Sequence, residues 1–170
     1  MDKTITTALL IVISMVMAIM LFNVAYPAII QSGDAITSMT SRADERMRSQ
    51  VTIIHMTGEL DSAGGWADTN GNGDFDAFIW VKNTGTARIV GLEYLDVFFG
   101  PEGNFARIPH QSAAGGTYPY WEAQVETGGD WTPASTLRIT IHYAFPLATG
   151  RYFARVTVPS GVTDADYMSM

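Results

Sequence analysis

The chain of 170 residues contains no cysteine, which excludes disulfide bonds, a thiolate nucleophile and zinc sites built from cysteine. Basic residues are scarce as well: 10 lysines and arginines stand against 17 aspartates and glutamates, and the formal net charge is −7. Nucleic-acid binding needs clustered positive charge. An acidic chain with scattered basic residues therefore argues against a nucleic-acid partner.

The common catalytic motifs are also missing. No Gly-x-x-x-x-Gly-Lys loop is present, which excludes nucleotide hydrolysis by a P-loop, and no serine lies in a Gly-x-Ser-x-Gly turn. The histidines His55, His110 and His142 fall on separate predicted strands or loops without the spacing of metal ligands, which favours structural roles. We therefore expect that the protein is not an enzyme and that it requires no cofactor.

Charge is absent from one long segment near the start of the chain, between Thr4 and Gly33. A transmembrane helix needs about 20 apolar residues, and this segment provides them. It is too long for the apolar core of a secretory signal peptide, so that interpretation fits poorly. Apolar residues then recur at spacings of three and four up to Met47, which predicts that the helix continues to about residue 48. Such a helix needs lipid or copies of itself around its apolar half.

The pattern changes after Arg48 to short β-branched and aromatic segments, which are separated by turns rich in glycine, proline, asparagine and aspartate. We predict an α+β fold in which a long apolar helix (residues 1–49) precedes an outer antiparallel, Ig-like β-sandwich domain (residues 50–170). Segments 136–145 and 151–161 are expected to form a final hairpin. The last residues, 162–170, are expected to be a tail.

One loop has the pattern of a cation site. The stretch "DTNGNGDFD" places oxygen-bearing side chains at alternate positions and Gly73 at the sixth, as in the first nine positions of a calcium loop of the EF-hand type. Ile79 replaces the bidentate glutamate of the twelfth position, so the loop is not an EF-hand. The alternative is a solvated Asn-Gly hairpin loop. The candidate Ca²⁺ ligands are Asp68, Asn70, Asn72, Asp74 and Asp76.

Three stretches carry a family resemblance: the opening "TALLIVISMVMAIMLFNVAYPAI", the segment "DFDAFIWVKNTGTARI" with its Val-Lys-Asn-Thr-Gly sequence, and the closing "LRITIHYAFPLATGRYFARVTVPSG". Together they resemble the type IV pilin-like filament proteins, and more specifically the archaellins (archaeal flagellins) of the archaeal motility filament, the archaellum. Ile5 stands where bacterial type IV pilins usually have glutamate, which favours the archaellins. Asp2 and Lys3 depart from the family's small and apolar start, and we expect a processed chain or a divergent branch.

The resemblance implies a structural subunit that polymerises through its N-terminal helix into an extracellular filament on the cell surface. Its partners would be copies of itself in a helical homopolymer, the cytoplasmic membrane before assembly, and the motor and assembly-platform proteins. The alternatives are an adhesive type IV-like pilin, an accessory archaellum subunit, or a membrane-anchored binding module. The filament core implied by the resemblance consists of Leu9, Ile13, Val16, Ile19, Met20, Phe22 and Tyr26.

Overall fold

The structure is a computed structural model that describes residues 2–169. Its first element is a helix of 47 residues, α1 (Asp2–Arg48), which continues through Pro27 and ends where the apolar periodicity predicts. Two hydroxyl groups in its apolar part are satisfied within the helix, since Thr7 and Ser14 donate to backbone carbonyl oxygens four residues earlier. This arrangement lets a polar side chain lie in an apolar environment without an unpaired donor.

The side chains of α1 that the structure describes are exposed. Its apolar part is long enough and apolar enough to cross a membrane, by length and composition, and none of it is buried in the fold. The chain divides into two compact units between Ala43 and Asp44, so the last turn of α1 belongs to the second unit. The domain boundary after residue 49 stays a prediction.

Among the described residues, the second unit contains eight strands in two four-stranded antiparallel sheets, which confirms the predicted α+β fold with a β-sandwich. The strands are β1 (Val51–Gly58), β2 (Phe75–Asn83), β3 (Asp96–Pro101), β4 (Ala106–Ile108), β5 (Tyr120–Val125), β6 (Thr136–Tyr143), β7 (Arg151–Thr157) and β8 (Thr163–Ser169). The sheet orders are β1-β2-β6-β5 and β4-β3-β7-β8. A short helix (α2, Gln111–Ala114) and a 3-10 turn at Leu92–Tyr94 lie in the connections.

The core lies between the two sheets. Alternate residues of β2 and β6, such as Ile79 and Ile139, are fully buried, and so are Val97 of β3 and Val156 of β7. This is the alternation expected of strands with one face on a core. Trp121 and Trp131 are buried as well.

Two sequence expectations about the end of the chain are wrong. Segments 136–145 and 151–161 do not form a hairpin, because β6 pairs with β2 and β5 while β7 pairs with β3 and β8. Both segments have the apolar and β-branched composition of strands, and that pattern alone does not say which sheet a strand joins. The expected tail is strand β8, whose acidic composition resembles that of a loop. Asp164 has a structural task there, since its Oδ2 accepts a hydrogen bond of 2.7 Å from the backbone N–H of Ile53.

The end of α1 is attached to the sandwich through backbone groups. The N–H groups of residues 84–87 donate to the carbonyl oxygens of Gln50 and Arg48 at distances between 2.8 and 3.2 Å. Ser49 is buried, and Nε of Arg46 donates to the carbonyl oxygen of Ser160 over 3.1 Å. The carbonyl oxygen of Arg48, the last residue of the helix, is thereby satisfied by the β unit.

Candidate functional site

The pairing of β2 with β6 brings a histidine to the acidic loop. Asp76 lies directly opposite His142 in the register, and both side chains are buried. Nδ1 of His142 is 2.8 Å from Oδ1 of Asp76 and 3.3 Å from Oδ2 of Asp74. Two carboxylates therefore meet one side of an imidazole ring beneath the surface.

Residues of β5 and the preceding segment enclose the other side of the ring. Oε1 of Glu122 is 3.7 Å from Nε2 of His142, and the ring of Tyr120 stacks on the imidazole with 4.8 Å between centroids. The hydroxyl group of Tyr118 donates a hydrogen bond to Oδ1 of Asp74. This hydrogen bond raises the pKa of Tyr118 to about 12, so the hydroxyl keeps its proton and remains a donor.

In this cluster, charges and hydrogen bonds shift the pKa values of Asp76 and His142 in the direction opposite to burial. Burial alone would raise the pKa of Asp76, but the adjacent His142 and the side-chain amides of Asn72 and Asn70 together lower it. Burial would lower the pKa of His142, but Asp76, Glu122 and Asp74 together raise it. The site thus favours negative carboxylates and a positive charge between them.

The two asparagines of the loop support Asp76. Their carbonyl oxygens accept backbone N–H groups of Asn72 and Asp74, at 2.9 Å each. Because a backbone N–H can only donate, this contact fixes the orientation of each amide. Both NH₂ groups then donate to Oδ2 of Asp76, at 3.0 Å each.

Asp68 faces the loop backbone instead. Its Oδ1 accepts from the N–H of Gly71 over 2.6 Å and its Oδ2 accepts from the N–H of Gly73 over 2.9 Å. Both carboxylate oxygens are therefore used to shape the loop.

Glu59 anchors the start of the same loop. It is buried, and its Oε1 accepts hydrogen bonds from the backbone N–H and the hydroxyl of Thr69 and from the N–H of Asn70, at 2.7, 2.7 and 2.8 Å. The sequence pattern alone does not single out Glu59, because it lies outside the repeating loop.

Of the five predicted ligands, the structure thus brings Asp74 and Asp76 together with His142, uses Asn70 and Asn72 to hold Asp76, and directs Asp68 elsewhere. The sequence assigns His142 a structural role, because nothing in the sequence shows that a residue so far along the chain contacts the loop. Cation binding at the loop stays a prediction.

The residues of the predicted filament core lie on a different element, the N-terminal helix. They are all on α1, and their exposed fractions range from 46% to 72%. This apolar surface is the second candidate functional feature of the molecule. Its members are Leu9, Ile13, Val16, Ile19, Met20, Phe22 and Tyr26.

No family model matches the chain, and no curated protein does. Among solved structures, it is similar to the archaellum periplasmic stator protein FlaG from Sulfolobus acidocaldarius, with 24% identity, a TM-score of 0.54, and coverage of 71% of this chain and 99% of that chain. It is also similar to a chain of the archaellum periplasmic stator protein complex FlaF and FlaG from the same organism, with 23% identity, a TM-score of 0.52, and coverage of 70% and 88%. These likenesses show that the chain shares the fold of those stator proteins.

Proposed function

We propose that the protein is an accessory subunit of an archaellum, anchored by α1 in the cytoplasmic membrane, with its β-sandwich on the outer side. The observation that carries this proposal is the shared fold with a periplasmic stator protein, because the similarity extends over 99% of that protein's chain. The proposed role is to connect a component of the motility machinery to its surroundings, which requires binding surfaces and no catalytic site.

The exposed helix supports the anchor. The segment from Thr4 to Gly33 has no charged residue and its apolar side chains are not covered by the fold. A helix of about 20 apolar residues crosses the hydrocarbon core of a bilayer with all its backbone groups satisfied internally. Burial of these side chains in lipid would therefore stabilise the protein in the membrane.

The fold comparison supports the accessory alternative better than the filament subunit. One similar chain belongs to a complex named for two stator proteins, FlaF and FlaG. We therefore propose a second archaellum component as the partner, in place of a helical homopolymer of this chain. In a filament, a bundle of helices from neighbouring subunits would cover the same apolar residues. Both assignments therefore need the apolar helix surface to be buried, and they differ in the partner that buries it.

A deletion strain of the native host separates the two assignments. If the protein is an accessory subunit, cells without it still assemble filaments but swim poorly, and the protein of normal cells remains with the membrane when filaments are sheared off. Electron microscopy, motility tracking and mass spectrometry of the sheared material measure these outcomes. Filaments composed mainly of this chain, together with a deletion strain that lacks filaments, would instead identify a filament subunit. Normal swimming of the deletion strain would contradict both.

A further inference from the structure

We propose that Asp74, Asp76 and His142 bind a divalent transition-metal ion such as Zn²⁺. One ligand atom from each residue lies within 4.8 Å of the others, at the point where the loop meets β2 and β6. Asp76 and His142 are 1% and 7% exposed. Two of the three side chains are therefore buried in positions set by strand pairing, and the third comes from the end of the loop.

Two buried atoms of this cluster, Oδ1 of Asp76 and Nδ1 of His142, make no hydrogen bond of regular geometry among the described residues. Oδ2 of Asp76, by contrast, accepts from two amides. The two atoms are 2.8 Å apart, so a protonated His142 would form an ion pair with Asp76. A metal ion that binds both atoms would replace that proton and complete the site.

Metal binding through Nδ1 needs a neutral His142 whose proton is on Nε2. Glu122 lies 3.7 Å from Nε2, a distance that favours a proton there electrostatically but is too long for a hydrogen bond. In that tautomer the lone pair of Nδ1 would face the carboxylates of Asp76 and Asp74, and a cation between the three groups would remove their repulsion.

The donor set favours a transition metal over calcium. Imidazole nitrogen suits zinc, copper, iron and nickel, whereas Ca²⁺ takes six to eight oxygen ligands. The oxygens of Asp68, Asn70 and Asn72 accept backbone N–H groups, so an all-oxygen calcium shell would have to break those contacts. Tetrahedral zinc bonds of about 2.0–2.2 Å place ligand atoms roughly 3.3–3.6 Å apart. The contact of 3.3 Å between His142 and Asp74 already has that spacing, and the contact of 2.8 Å with Asp76 needs only a small widening.

Access to the site is through Asp74, whose side chain is 14% exposed while those of Asp76 and His142 are 2% and 9% exposed. A metal bound here would connect the loop at residues 68–76 to β2 and β6. The proposal therefore predicts both a binding event and a stabilised β unit.

The test uses the full chain in detergent micelles, freed of metal with a chelator. Titration calorimetry with Zn²⁺, Mn²⁺, Ca²⁺ and Mg²⁺ measures binding, and tryptophan fluorescence on heating measures the stability of the β unit, since all four tryptophans follow α1. We expect one Zn²⁺ per chain, a higher Tm with Zn²⁺ that EDTA reverses, and weaker effects of Ca²⁺ and Mg²⁺. Unchanged Tm and no measurable binding with any of the ions would overturn the proposal.

Matched variants locate the ion. Asp74→Asn and His142→Gln should abolish the Zn²⁺-dependent rise in Tm, and Glu122→Gln should weaken Zn²⁺ binding by about 10- to 100-fold. His55→Gln controls for a surface histidine, and Asp68→Asn controls for the loop carboxylate outside the cluster; both should keep the response. The metal-free Tm of each variant shows whether it folds. If His142→Gln does not fold, the Zn²⁺ response of Asp74→Asn alone decides whether the ion binds at this cluster. Undiminished Zn²⁺ affinity in Asp74→Asn, or Ca²⁺ binding that only Asp68→Asn removes, would overturn the proposal.

Discussion

Asn83 and Gly85 shape the turn that follows β2, whose backbone N–H groups donate to Arg48 and Gln50. Asn83 is completely buried, and its amide donates to the carbonyl oxygens of Ala87 and Trp131 while its Oδ1 accepts from the N–H of Gly85. A buried amide with these partners stabilises the turn, whereas an apolar replacement would remove all three hydrogen bonds. These contacts explain the asparagine and the glycine of the Val-Lys-Asn-Thr-Gly sequence without reference to any family resemblance.

Gly85→Ala should destabilise the β unit. A Cβ atom at this position would lie 2.3 Å from the carbonyl oxygen of Arg48 and 2.5 Å from the backbone nitrogen of Gln50, and both are backbone atoms. Overpacking of this kind costs about 1–3 kcal/mol. We expect a Tm lower by several degrees in the tryptophan fluorescence assay. Gly150→Ala is the control, because nothing lies within 4 Å of its added Cβ. Equal Tm values for the two variants would contradict the clash.

Single residues also show where sequence patterns stop being informative. The alternation of Asp68 to Asp76 is visible in the sequence because the loop is local. His142 is visible only once the register of β2 and β6 is known, since Asp76 and His142 are far apart in the chain. Glu59 is hidden for the same reason, as an acidic residue outside the repeat. Local spacing predicts a turn, but a site assembled from several strands needs the pairing.

Among the elements, α1 is the one whose surface the fold leaves uncovered. Its apolar residues are exposed over the segment without charge, which is the arrangement of a helix whose solvent is lipid or other helices. Its length and its end at Arg48 follow from the apolar run and the periodicity behind it. Most strands were also predictable from their alternation. Strand β8 was not, because its buried residues are few and its acidic side chains resemble a loop.

Val16→Asp should release the protein from the membrane. Val16 lies within the uncharged segment, and a carboxylate near the centre of a membrane helix costs about 2.5–3.5 kcal/mol on insertion scales. We expect the variant to leave the membrane fraction and to fail to restore swimming in the deletion strain, while its β unit stays folded by tryptophan fluorescence. Ser38→Asp places the same charge on an exposed position of the same helix beyond Gly33, and should remain in the membrane. Equal membrane retention of the two variants would argue against the anchor.

The molecule as a whole combines two units of different chemistry. The residues up to Met56 carry balanced charge, so the net charge of −7 falls on the rest of the β unit. The first unit contains a helix that is long and apolar enough to cross a membrane, and the second has its own buried core. Net negative charge favours solubility and repels negatively charged surfaces. The apolar surface and the excess of negative charge therefore belong to different units of the chain.

The place where the two units separate can be tested by shortening the chain. A chain that begins at Asp44 keeps the carbonyl oxygens of Arg48 and Gln50, which accept the N–H groups of residues 84–87, and it keeps the contact of Arg46 with Ser160. A chain that begins at Val51 loses all of them. Each hydrogen bond contributes about 0.5–1.5 kcal/mol net. We therefore expect the Asp44 chain to unfold at the Tm of the full chain and the Val51 chain to unfold several degrees lower.

Both chains have a new N-terminus, so the comparison between them isolates residues 44–50. Equal Tm values for the two chains would place the boundary after residue 49, and a lower Tm for the Asp44 chain than for the full chain would show that the apolar helix also stabilises the sandwich.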